Sequence, residues 1–181
     1  MTVLGIDYSF TCPALCYIGD ESPEWWVNYK LKGKPYQPLP RVNWTTSTIE
    51  GEVPRFLELA FWVAGVVATT TPDLITIEDF AYMANGRITQ LAENMGVLKA
   101  MLYTSYPGIP VQLVAPTAMK KLATGKGNAN KDDVWAALIE VLPETEAWAA
   151  HCHPKAQRIG SPCADIADSY FLAQYGRQQL R

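Results

Sequence analysis

The sequence predicts an α/β fold built on a mixed five-stranded sheet, three antiparallel strands followed by parallel ones, flanked by helices. Three observations carry that reading. Five short apolar or β-branched runs are closed by turn signals or acids, helical spacing fills the segments between the later runs, and the order passes from strands alone to helices and strands in alternation.

"TVLGIDYS" is the first strand and ends in Asp7; "PALCYIGD" is the second, closed by the turn signal Gly19-Asp20, so the two form a hairpin. "EWWVNYKLKG" is the third, and "KPYQPLPRVNWTTST", rich in Pro and polar residues, reads as an exposed connection. Residues 50–69 are helical, with Pro54 tolerated in the first turn. "PDLITIEDF" is a buried strand, again with an acid at its end. "NGRITQLAENMGVLKAMLYTSY" starts as a turn and continues with helical spacing at Ile88, Leu91, Met95, Leu98 and Leu102, before "GIPVQLVAP" supplies the last strand. Helices follow over 116–123, 131–142 and 162–175.

At 181 residues, without internal repeat or low-complexity segment, the chain reads as one domain spanning 1–181. Hydrophobic residues at 49% and charged residues at 18% exclude a disordered chain. "LELAFWVAGVVATTTP" is the most apolar stretch, but Glu58 near its start and the closing Pro72 make it a buried helix, and no membrane association is expected. The start lacks a basic region followed by an apolar one, which places the protein in the cytoplasm. In that reducing compartment Cys12, Cys16, Cys152 and Cys163 are free thiols. "HCH" at 151–153 with Cys163 lacks the paired CxxC spacing of a zinc site and reads as a polar surface loop. The net charge of −3 argues against coating DNA through charge alone, while "KLKGK" and "KKLATGKGNANK" are local basic patches.

The acids carry the chemistry. Asp7 and Glu78 each close a strand, Asp79 follows Glu78 without the alternation deciding between them, and Asp165 and Asp168 lie one turn apart in "GSPCADIADSYFLAQYG". Residues three apart on a helix are neighbours, and a like-charge pair in an apolar helix is costly without a cation or proton between its members. Asp7 alone could be a turn residue and Asp165 alone a helix cap, but Asp168 lies a full turn inside the helix. In open α/β sheets sites gather at the carboxyl ends of strands, so Asp7 and Glu78 converge if their strands are parallel neighbours. Four carboxylates there suit one or two hard divalent cations, Mg²⁺ or Mn²⁺. Two ions about 4 Å apart suit phosphodiester hydrolysis without a Ser, Cys or His nucleophile. His151 and His153, the chain's only histidines, lie away from the strand ends.

"LGIDYS", "ITIEDF", "PTAMKKLATGKGNANKDDV" and "CADIADSYFLAQ" resemble, in order and spacing, the signature segments of RuvC-type Holliday junction resolvases, members of the ribonuclease H-like nuclease superfamily. The resemblance runs over about 3–175 and is weakest over 21–50, the Trp- and Pro-rich stretch. It implies a ribonuclease H-like sheet and a Mg²⁺-dependent endonuclease, with Mn²⁺ able to substitute, that resolves four-way junctions by symmetric paired nicks leaving 5′-phosphates. Asp7 then bridges both metals, with Glu78, Asp165 and Asp168 as further ligands, while Lys120 and Lys131 lie near the scissile phosphates and Lys131 joins the catalytic set. Lys126 lacks such a match and reads as solvated surface.

The resemblance also implies an aromatic residue that stacks on unpaired bases soon after the glutamate, for which Phe80 and Tyr82 are available and Tyr82 is preferred. The helix after it implies a two-fold dimer that sets two active sites on opposed strands of branched DNA. A member with so divergent an N-terminal half suggests a bacteriophage version in an infected bacterial host. Within the same chemistry the alternatives are a broader flap or fork nuclease and a ribonuclease H; outside it stand a catalytically inactive junction-binding protein and an actin-like nucleotide-binding module. "GIDYS" also opens the actin-like fold, but that fold needs a second Gly-rich phosphate loop and a much longer chain.

Overall fold

The computed structural model describes residues 1–30, 36–79, 88–152 and 158–180. Strands β1 (Val3–Asp7), β2 (Ala14–Ile18) and β3 (Glu24–Lys30) form the antiparallel meander expected of them. After β4 (Val42–Ser47) and helix α1 (Glu52–Thr70), strand β5 (Leu74–Glu78) pairs parallel to β1. Helix α2 (Ile88–Ser105) crosses over to β6 (Val111–Val114), which is parallel to β5. Helices α3 (Pro116–Thr124), α4 (Lys131–Val141), α5 (Glu146–Cys152) and α6 (Cys163–Gln179) complete the order.

Among the described residues the sheet has six strands in the order β4-β3-β2-β1-β5-β6, one more than the sequence reading supplied. The extra strand is β4, which lies inside the segment read as an exposed connection and pairs parallel to β3. Its sequence, "VNWTTS", holds β-branched residues and a tryptophan, and the prolines that suggested a loop all precede it. Trp44 packs edge-on to Tyr29 at 5.7 Å and stacks on Tyr36 at 5.6 Å, an aromatic cluster that favours the pairing.

Alternation along β1 sorts its side chains to two cores. Leu4 and Ile6 join Leu15, Ile75 and Ile77 under Leu59, Val63 and Val67 of α1 and Leu98 and Leu102 of α2. Although α1 is long and apolar enough to cross a bilayer by length and composition, those three of its residues are fully buried in this core. Val3 and Leu74 face the other way, with Cys16, Trp25 and Val27, onto Ile166, Tyr170 and Ala173 of α6. Helix α6 lies directly on the sheet because Gly5 offers no side chain: a Cβ there would stand 2.2 Å from the Ser169 carbonyl oxygen and 2.4 Å from the Ala173 nitrogen. Two side chains reach across to its backbone, Thr76 Oγ1 donating to the Leu172 carbonyl at 2.9 Å and Trp25 Nε1 to that of Ile166 at 3.2 Å.

Part of "HCH" belongs to α5 rather than to a polar surface loop. Trp148 and Cys152, four residues apart, share a helix face that is buried, with Trp148 edge-on to Trp25 at 5.4 Å. All four cysteines are free and buried. His153 lies outside the described residues.

Candidate active site

Two neighbouring parallel strands start the site. Ile6 of β1 is in register with Ile77 of β5, so the residues that follow, Asp7 and Glu78, end the two strands side by side. Both share the strand face of Val3 and Leu74, the face that α6 covers. Asp165 stands in the first turn of α6 and Asp168 one turn further along. The cap position is Pro162, without a side-chain cap, so Asp165 is not the helix cap.

Burial makes this group of acids costly when charged. Asp7 is 8% exposed and Asp165 5%. Burial, then the charges of Asp165, Glu78 and Asp168, raise the Asp7 carboxyl far above its ordinary range. Burial and Asp168 push Glu78 up to about 7, and burial and Asp165 push Asp168 to about 6. Asp165 is raised by burial, opposed by its polar neighbours Ser161, Cys12 and Asp7 and by the charge of Lys131.

Two lysines oppose this field. Lys131 acts on all four acids, and Lys120 acts on Glu78 and Asp168. Lys131 is the first residue of α4, fixed there by a capping box in which Asn130 and Asp133 exchange 3.0 Å side-chain-to-backbone hydrogen bonds. Lys120 lies at the middle of α3. Lys126 is exposed beyond the end of α3. Phe80 and Tyr82 lie outside the described residues, as do Lys32 and Lys34. Asp79, the alternative to Glu78, donates its backbone N–H to the Val114 carbonyl at 2.8 Å and extends the β5–β6 pairing.

The donor set fits a hard divalent cation by chemistry: the converging groups are carboxylate oxygens, and Asp165 Oδ2 is buried with no hydrogen-bond partner. Among the described residues no three His, Cys, Asp or Glu side chains close around a single point at one ion's ligand spacing. The acids instead extend from β1 across β5 to α6. Sequence reasoning missed Cys12, Ser161 and Tyr36, which border Asp165 from outside the acid group. Cys12 read only as a free thiol, because nothing local in its stretch signals a place beside the acids.

No protein-family model matches the chain. Curated relatives do. The crossover junction endodeoxyribonuclease RuvC of Chlamydia caviae is 28% identical over 146 residues, covering 80% of this chain and 76% of that protein. The RuvC of Corynebacterium diphtheriae is 31% identical over 120 residues, 66% of this chain and 64% of that protein. Among solved structures, Thermus thermophilus RuvC in complex with Holliday junction substrate superposes with a TM-score of 0.62 at 20% identity, over 99% of this chain and 96% of that one. Over four fifths of its length the chain is similar in sequence to RuvC-type Holliday junction resolvases, and over nearly all of it the fold matches that of Thermus thermophilus RuvC.

Proposed function

We propose that the chain is a Mg²⁺-dependent, structure-selective endonuclease that resolves Holliday junctions by symmetric paired nicks, its 181 residues acting as one nuclease domain. The observation that carries this is the convergence of Asp7, Glu78, Asp165 and Asp168 from two strand ends and one helix, with Lys120 and Lys131 facing them. The curated relatives are named for the same activity, and the structural neighbour is bound to a four-way junction.

When bound, Mg²⁺ or Mn²⁺ would supply an activated water and stabilise the leaving 3′ oxygen. Asp7, Glu78, Asp165 and Asp168 would hold them. Before that, burial and mutual repulsion raise all four carboxyls, a cost that a cation would relieve. Lys131 and Lys120 stand where they can neutralise the phosphate that approaches the acids. Phe80 or Tyr82 would stack on an unpaired base.

A two-fold dimer would present two such sites to opposed strands. Its support is an exposed apolar stripe on α1, Val53, Leu57 and Phe61 at four-residue spacing, and exposed Tyr103 on the adjoining α2. The setting would be the cytoplasm of a bacterial cell or, for a bacteriophage version, of its infected host.

Cleavage rates on a mobile four-way junction, a flap and an RNA–DNA hybrid test the substrate. The reading requires the junction to be cut fastest. Preference for the flap or the hybrid would replace it with a broader branched-DNA nuclease or a ribonuclease H, and tight junction binding without cleavage in any divalent ion would make the protein an inactive binder.

A further inference from the structure

The basic stretch "KLKGK" has no part in the function proposed above, and in the chain it is followed directly by Pro35 and Tyr36. Tyr36 is folded against β3 and β4. Its N–H donates to Tyr29 Oη at 3.2 Å, and its ring stands edge-on to Tyr29 at 4.8 Å and stacked on Trp44 at 5.6 Å, with the planes 30° apart. Tyr29 is the buried floor of the cluster. Tyr36 and Trp44 are half-buried, and both keep part of their surface open to solvent.

Strand register places this pair in line with the acids. Asp7 is paired with Ala14, Ala14 with Val27 and Val27 with Trp44, so Asp7 and Trp44 stand in one row across four strands. Glu78 extends the row beyond Asp7, since Ile77 is paired with Ile6. Directly opposite residues point to the same face of a sheet, and Val27 and Trp44 pack in the core on the α6 side, the face of Asp7 and Glu78. Three strand spacings, about 14 Å, separate Trp44 from Asp7. Tyr36 reaches back toward the helix that carries the other two acids: its Oη lies 3.5 Å from the carbonyl oxygen of Ser161, four residues ahead of Asp165.

We propose that the Tyr36–Trp44 pair is a platform on which an unpaired nucleobase of the branched DNA stacks, on the side of the acids away from β5. Every base has a π-face, so a half-open aromatic pair takes any of the four without reading sequence. The charge beside it suits a phosphate backbone. Lys30, Lys32 and Lys34 precede Tyr36 within six residues, no acid lies among residues 30–36, and only Lys30 has an acidic partner among the described residues, Glu50 at 3.2 Å. The row of residues makes the platform continuous with the acids, so a strand whose phosphate lies at Asp7 can lay a nearby base on Tyr36. Phe80 and Tyr82 instead follow Glu78 in the chain, and a base on this platform is a second contact, at a different nucleotide. The inference rests on the DNA substrate proposed above.

The test is junction affinity of the full chain in Ca²⁺, for wild type, Tyr36→Ala, Tyr36→Leu and Tyr36→Phe, on an intact four-way junction and on junctions with one abasic site at each position near the crossover. Tyr36→Ala should weaken binding to the intact junction by about 5- to 100-fold, and Tyr36→Phe, which keeps the ring, should stay within about twofold of wild type. At one position the abasic site should weaken wild type by a similar factor and Tyr36→Ala by no more than about twofold further, because the base and the ring are then lost as one contact. Tyr36→Leu keeps apolar bulk over Tyr29 without a π-face and should behave as Tyr36→Ala, so it carries the test if the alanine variant does not fold. Binding within about twofold of wild type by Tyr36→Ala or Tyr36→Leu would overturn the platform. So would a loss that is the same on the intact and on every abasic junction, which is what a ring that only packs against β3 and β4 produces. Wild-type protein that binds no junction would overturn the DNA substrate on which the platform rests.

Discussion

Asp7 and Glu78 end two parallel strands one residue beyond a register pair, Ile6 with Ile77, and face the same helix. Neither carboxyl has room to be charged cheaply, and each raises the other or is raised by the Asp165–Asp168 pair. This mutual cost is what a cation would relieve. Removing one charge therefore separates binding from hydrolysis: Asp7→Asn and Glu78→Gln should lose nicking by about 100-fold or more while holding junction DNA within a few-fold of wild type. Gel shifts in Ca²⁺ beside nicking assays in Mg²⁺ would check it, and wild-type nicking by either variant would remove that residue from the site.

The raised carboxyls make folding stability depend on pH in a fixed direction. A carboxyl whose native pKa lies above its unfolded value favours the native state when protonated; that contribution is present at low pH and is lost as pH rises through the native pKa, here about 6 for Asp168 and about 7 for Glu78. In chelator, Glu78→Gln should therefore be more stable than wild type near pH 8, by on the order of 2 kcal/mol, with the gain shrinking toward zero near pH 4. Urea unfolding at both pH values measures the difference. A gain independent of pH would mean that the Glu78 charge is not what the fold resists.

Gly5 is where the fold and the site meet. A Cβ there would collide with α6 backbone at 2.2 and 2.4 Å, so the helix that carries Asp165 and Asp168 has to move off β1. Gly5→Ala should cost about 1–3 kcal/mol in denaturant unfolding and reduce nicking even where the protein is fully folded. Full activity in a stably folded Gly5→Ala would show that the acids tolerate displacement of α6.

The lysines separate by the salt dependence of binding. Lys120 and Lys131 face the acids, whereas Lys126 is exposed beyond α3. Lys120→Ala and Lys131→Ala should each lower the slope of log affinity against log salt by about 0.9 if the contact is to duplex DNA, and Lys126→Ala should leave it unchanged. An equal effect from all three would make the basic contribution a diffuse patch.

Strand ends and the last helix were legible because acids at strand termini and a DxxD inside an apolar helix violate local patterning, and such violations need a tertiary reason. Strand β4 was not, since Pro38 and Pro40 masked a strand whose partner, β3, supplies its pairing. Helix α5 was hidden for a similar reason: "HCH" looks polar, but Trp148 and Cys152 bury one face only once Trp25 is in place.

Cleavage of an end-labelled mobile four-way junction, with and without Mg²⁺, by wild type and Asp168→Asn side by side addresses the central claim most directly. The account predicts Mg²⁺-dependent, symmetric paired nicks by wild type, their loss in Asp168→Asn, and junction binding by both. Nicking by Asp168→Asn at the wild-type rate, or wild-type protein that neither binds nor nicks the junction, would contradict it.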